Sequence, residues 1–176
     1  MNSDTRNLME DAELSFKLLE FAIRTMCYSE LNKIDAHLFG QELQVNLEEE
    51  NVCFPAGLFQ DQDEIIKVAQ MNVGADFAAT AISLDCMLEG RNNLPSNIAA
   101  LGKLVAAVRN AFTHGVAAPS WFVKPHKEES IDLGFINGPV INLGALNGKE
   151  FIYSQLGGFA VWYRVKHEML SYISST

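Results

Sequence analysis

Paired cysteines are missing from this chain. Cys27, Cys53 and Cys86 are odd in number, far apart and outside any C-x-x-C spacing. That excludes a disulfide framework and a cysteine zinc site, and leaves three thiols expected as buried core fillers in a reducing compartment. Long apolar runs are missing too, for no uncharged apolar run reaches the roughly 18–20 residues that a bilayer span needs. The opening "MNSDTRNLMEDAE" is polar and acidic where a secretory signal has a basic and then an apolar region. A cytoplasmic chain without a membrane partner is the expectation. Also absent are a P-loop, a G-x-G-x-x-G, a nucleophile elbow and an H-E-x-x-H, which removes the chemistries those motifs serve. His37, His126 and His167 have no metal-ligand spacing, so neither a metal nor another cofactor is expected.

What is present is the composition of an ordinary globular domain. The 176 residues are 48% hydrophobic and 20% charged, enough to bury one sizeable core. A single domain over residues 1–176 is expected. The net charge of −9 is unevenly spread. From Ile34 to Ile66 stand eight acids (Asp35, Glu42, Glu48, Glu49, Glu50, Asp61, Asp63, Glu64) and no Lys or Arg. From Arg91 to Lys127 the pattern reverses, with Arg91, Lys103, Arg109, Lys124 and Lys127 and no acid. A local positive field holds phosphate even on an acidic molecule; five scattered cations serve equally well as solvated surface.

Four segments carry the three-and-four spacing of an amphipathic helix. The first runs from about Asp4 to Lys33, with Leu8, Ala12, Phe16, Leu19, Ile23, Met26 and Cys27 on its apolar stripe. The second, about Gln62 to Glu89, opens on the capping-box pattern Asp61-x-x-Glu64 and stops at Gly90. The third follows "LPSN", with Ser96 or Asn97 as cap; Ile98, Leu101, Val105, Val108 and Phe112 form its buried face, and Gly115 its left-handed stop. The fourth begins near Asn147-x-x-Glu150 and carries Ile152, Leu156, Phe159, Tyr163, Leu170 and Ile173, with Gly157-Gly158 inside it. Two stretches break this pattern. Residues 42–55 alternate weakly, as a short hairpin or an acidic loop. Residues 131–146 read as a hairpin about Asn137-Gly138, the favoured two-residue turn. The fold class expected is all-α, a four-helix bundle with a small β-hairpin insertion before the last helix.

One stretch points to a reaction: "VRNAFTHGVAAPSWFV", residues 108–123. If the third helix runs to His114, Asn110 and His114 are i and i+4 on one face with Arg109 beside them. The free carbonyls of a last helical turn favour a cation by about 0.3–1 kcal/mol, which suits histidine to proton transfer near neutral pH. Arginine's planar fork suits phosphate. The plain alternative is a helix-end charge and a histidine capping carbonyls. In "APSWFVKPHK", residues 118–127, two aromatics and two lysines form either a base-stacking platform or a loop stapled to the core. Lys103, Trp121 and Lys124 are the candidate substrate contacts, and Arg109, Asn110 and His114 the candidate catalytic set. On the last helix, Trp162, Tyr163 and Arg164 serve as core or as interface anchors.

"RNAFTH", residues 109–114, resembles the R-x4–6-H motif of the HEPN superfamily, in which a polar residue, often Asn or Asp, follows the arginine. The resemblance covers the motif and the helical layout. It implies a HEPN-type four-helix bundle that forms a homodimer, with the motif at a helix end facing the dimer cleft. Many such proteins are metal-independent endoribonucleases of toxin–antitoxin and other defence systems. Carried over, His114 is the acid/base, Arg109 the stabiliser of the phosphoryl oxygens, and Asn110 the orienting or substrate-contacting group. The implied partners are single-stranded RNA or a nucleotide, and an antitoxin or regulatory protein. A second function stays open: a HEPN-like dimer that binds a nucleotide, a phosphate or a protein and cleaves nothing.

Overall fold

The structure, a computed structural model, describes residues 3–46, 51–59, 61–113, 115–124, 129–134 and 140–176. The apolar stripe of the N-terminal segment makes helix α1, Ser3–Glu30, with Ala12, Phe16, Leu19 and Ala22 buried along it. It ends three residues before the expected Lys33. Asn32 takes φ +52°, and the Lys33 N–H bonds to the Tyr28 carbonyl at 2.8 Å. That is a Schellman-type stop, with asparagine tolerating the left-handed conformation.

The acidic stretch resolves as a hairpin. After a single turn, α2 (Ala36–Phe39), capped by Asp35, strands β1 (Leu43–Asn46) and β2 (Asn51–Phe54) pair antiparallel with Leu43 opposite Phe54. Helix α3, Gln62–Leu88, begins as its sequence indicates, with the Asp61 carboxylate accepting the Glu64 N–H at 3.0 Å. Gln62 donates from its side chain to the Ser29 carbonyl at 2.7 Å. The start of α3 therefore lies at the end of α1, and the two run antiparallel.

Helix α4, Ser96–Phe112, buries the five residues expected of it, Ile98, Leu101, Val105, Val108 and Phe112. Both of its ends differ from expectation. Neither Ser96 nor Asn97 is the cap. Pro95 is, because its carbonyl accepts the first helical bond from Ala99 at 2.9 Å. At the other end Thr113 caps in a right-handed conformation, and Gly115, at φ +155°, is outside the left-handed helical region. Beyond α4, strands β3 (Ser130–Asp132) and β4 (Val140–Asn142) pair antiparallel with Ile131 opposite Ile141, both buried. Asn137-Gly138, the expected turn, lies outside the described residues. Leu143–Leu146 leaves the hairpin as a short helix, α5, capped by Asn142.

The last helix is where the periodicity misleads. It does not start near Asn147 and does not contain its two glycines. A 3-10 turn, Tyr153–Leu156, comes first; Gly157 and Gly158 follow at φ +87° and +83°; α6 is Phe159–Ser175. Two consecutive residues at positive φ break the helical path, and only glycine takes them without steric cost. Ile152, expected on the buried stripe, is 50% exposed.

The four long helices share one core. Phe77 of α3 is its hub, with the rings of Phe112, Phe151, Tyr153, Phe159 and Trp162 at centroid distances of 5.9 Å or less. Fully burying one such ring stabilises the fold by about 1.5–3 kcal/mol. Trp162, wholly buried, donates its indole N–H to the Thr80 hydroxyl at 2.8 Å. Tyr163 packs edge-on against Phe16 and bonds to its carbonyl, so Trp162 and Tyr163 both serve the core. The cysteines do not. Cys27 and Cys53 are exposed and Cys86 is half-buried. Cys27 is turned outward from the face that carries Ala22, Ile23 and Met26, and Cys53 stands on the hairpin. The chain is mostly helical with two small antiparallel hairpins, and among the described residues no helix is long and apolar enough to cross a membrane.

Candidate functional site

The outer face of α4 forms one wall of a cleft of about 810 Å³. Lys103, Arg109 and Asn110 line it, with Thr113 at the helix end. Spacings of three and four put these side chains on the solvent side of α4 because the inner side is taken by Leu101, Leu104, Val108 and Ala111.

The opposite wall is the extended segment after α4. Its backbone is laced to residues 147–151: Trp121 N–H to the Lys149 carbonyl at 2.8 Å, Gly148 N–H to the Trp121 carbonyl at 2.8 Å, and Phe151 N–H to the Pro119 carbonyl at 2.9 Å. Extended backbone alternates its side chains. Trp121 and Val123 therefore point into the core, and Phe122 and Lys124 into the cleft. Trp121 is fully buried, and its indole N–H bonds to Gln155 Oε1 at 2.7 Å. It is thus not the exposed stacking ring that its place in "APSWFVKPHK" made it a candidate for. The exposed ring is its neighbour Phe122, the second aromatic of that stretch. Strand alternation anchored on the tryptophan was the signal that finds it.

The cations are only partly brought together. Lys103, Arg109 and Lys124 share the cleft. Arg91 is elsewhere, bonded to the Met87 carbonyl at the end of α3 at 3.0 Å. Lys127 lies outside the described residues. Two of the three cleft cations carry carboxylate partners: Lys103 meets Glu129 at 2.9 Å, and Arg109 is paired through Nη1 with Asp85 of α3. Arg109 also reaches the Asn110 amide oxygen from Nη2 at 3.4 Å. Asp85 and Glu129 are site residues that the sequence reading missed, since the first is 24 positions from Arg109 and the second 26 from Lys103. Among the described residues Lys124 has no ion-pair partner.

His114 lies outside the described residues. Helix α4 closes at Phe112, two residues before it, and the expected i, i+4 stacking of Asn110 on His114 lies outside the described residues with it. The backbone carbonyl of Asn110 accepts from the Thr113 N–H, at 3.3 Å, and from the Thr113 hydroxyl. Thr113, the residue before His114, is on the cleft wall.

Chemically, this wall presents N–H donors, an amide and an aromatic face, a set that suits a phosphate ester bearing a base. No three His, Cys, Asp or Glu side chains gather in a metal-binding arrangement among the described residues. No protein-family model, curated protein or solved structure matches this chain.

Proposed function

We propose that this chain is a HEPN-like protein that cleaves single-stranded RNA without a metal ion, acting as a homodimer through Arg109, Asn110 and His114. The observation that carries the reading is the convergence of Lys103, Arg109, Asn110 and Lys124 on one cleft beside the exposed ring of Phe122. The cations take the backbone phosphates, and Phe122 stacks on a base. In the cleavage step the ribose 2′-oxygen forms a bond to the adjacent phosphorus as the bond from phosphorus to the 5′-oxygen breaks. The 2′-hydroxyl proton leaves to a base, a proton is delivered to the departing 5′-oxygen, and a 2′,3′-cyclic phosphate remains. His114 is the residue for those proton transfers, and Arg109 stabilises the charge gathering on the phosphoryl oxygens. One arginine and one histidine are a thin set, which a two-fold dimer doubles. The role in a toxin or defence system, with an antitoxin or regulatory partner, rests on the motif's resemblance.

A second reading is favoured by the ion pairs. With Asp85 on Arg109 and Glu129 on Lys103, the cleft serves equally as a binding module for a nucleotide, a phosphate or a protein, without catalysis.

The experiment that separates them is RNA degradation in EDTA. Wild-type protein is expected to degrade unstructured RNA and His114→Ala is not. Equal activity of the two proteins removes the catalytic reading and leaves the binding one.

A further inference from the structure

We propose that the groove between the end of α1 and the start of α3 is the docking site of a basic protein segment bearing bulky apolar side chains. This goes beyond the RNA reading and uses a different surface.

The groove measures about 460 Å³ and is apolar apart from Thr25 and Asn72. Val68 and Met71 of α3 form one wall, each about half exposed at 49% and 50%. The other wall is Phe39 and Phe59, whose rings meet edge to face at 6.0 Å. The chain around them is built to hold that wall. Gly57 N–H bonds to the Gly40 carbonyl at 2.9 Å, and a Cβ on Gly40 would stand 2.7 Å from the Phe59 carbonyl oxygen. An approach that close to another backbone requires glycine at position 40. More apolar side chains stand exposed on the same segment: Leu31, Leu38, Leu43, Phe54 and Leu58. A soluble chain rarely leaves so much apolar surface open without a use for it.

Charge selects the occupant. The stretch 34–66, which supplies Ile34, Phe39, Phe59 and Ile65 to the groove, carries acids and no Lys or Arg, and its Asp35, Glu42, Asp61 and Asp63 are exposed. Lys33 and Lys67 stand at its margin and are outnumbered. A second copy of this chain would bring the same acids against the same face, and like charges across an interface oppose binding. Nucleic acid is disfavoured on the same ground. A helix or strand that alternates Lys or Arg with Leu, Ile or Phe satisfies both features.

The test uses the full chain and a fluorescent synthetic amphipathic helix made of Leu and Lys, with a control helix carrying Glu in place of Lys. Anisotropy is expected to show binding of the Leu/Lys helix only, weakening as salt shortens the screening length. Val68→Ser with Met71→Ser is expected to weaken it at least about tenfold, which corresponds to about 1.4 kcal/mol, with the helical circular dichroism unchanged. Because both side chains are half exposed, the double variant folds. Three results overturn the proposal: no binding of the Leu/Lys helix, equal binding of the Glu helix, or wild-type affinity in the double variant. A dimer of this chain that the double variant dissociates overturns it as well, by assigning the groove to a second copy.

Discussion

Asp85 of α3 holds the guanidinium of Arg109 on α4. A phosphate that enters the cleft therefore competes with a carboxylate for the same N–H donors. Both side chains are partly exposed, so the pair contributes no more than about 1 kcal/mol to stability. Asp85→Asn keeps the shape and removes the charge. Denaturant unfolding should shift by less than about 1 kcal/mol, while titration with a single-stranded oligoribonucleotide should show tighter binding. Unchanged or weaker binding would mean that Arg109 is not the phosphate ligand.

Adjacent aromatics should behave as opposites. Phe122→Ala removes the exposed ring and should weaken oligonucleotide binding by about 1–3 kcal/mol, with stability held within about 0.5 kcal/mol. Trp121→Ala empties a fully buried site and should cost about 3–5 kcal/mol of stability, visible as a large drop in Tm. If Trp121→Ala stays folded and Phe122→Ala binds normally, the alternation described for this segment is wrong.

Thr80 and Trp162 are both wholly buried and bonded to each other across α3 and α6. Thr80→Val preserves shape but leaves the indole N–H without an acceptor, at a cost of about 1–3 kcal/mol. Urea denaturation measures it. A neutral substitution would show that the indole finds another acceptor.

Asp76, half-buried on α3, has its carboxyl pKa raised by burial. The folded state thus prefers the protonated form. The penalty is absent below the unfolded value of about 3.9 and grows as pH rises through the folded one. Asp76→Asn is expected to raise Tm at neutral pH and to leave it unchanged in acid below the carboxylate range. A gain that persists at low pH would point to a cause other than charge burial.

The residues show why some features were legible in the sequence. The buried faces of α1, α3 and α4 follow from three-and-four spacing, and the Asp61 cap from a local side-chain bond that needs no tertiary context. Gly157-Gly158 carried its own warning: two residues free to take positive φ interrupt a helix, whereas the apolar spacing ran on through them. The same holds for Pro95, whose carbonyl starts α4 one residue ahead of the serine expected to cap it. At the site, Arg109 and Asn110 could be placed on the solvent side of α4 from the positions of its core residues. Phe122 follows from strand alternation once its neighbour Trp121 is taken as core, whereas Asp85 and Glu129 could not be placed, because their roles come from packing between elements distant in sequence. Cys27 was misjudged for a related reason, since a small apolar side chain at the margin of the stripe looks like core until the helix face is known, and Cys53 because it stands on a hairpin strand with little of it buried.

The most direct test of the central claim is incubation in EDTA of wild-type protein and Arg109→Ala with a single-stranded RNA and its 2′-deoxy counterpart, followed by analysis of the product ends. The account predicts that wild-type protein cuts the RNA to 2′,3′-cyclic phosphate ends and spares the deoxy strand, and that Arg109→Ala cuts neither. RNA left intact by the wild-type protein, or a deoxy strand cut as readily as RNA, would contradict it.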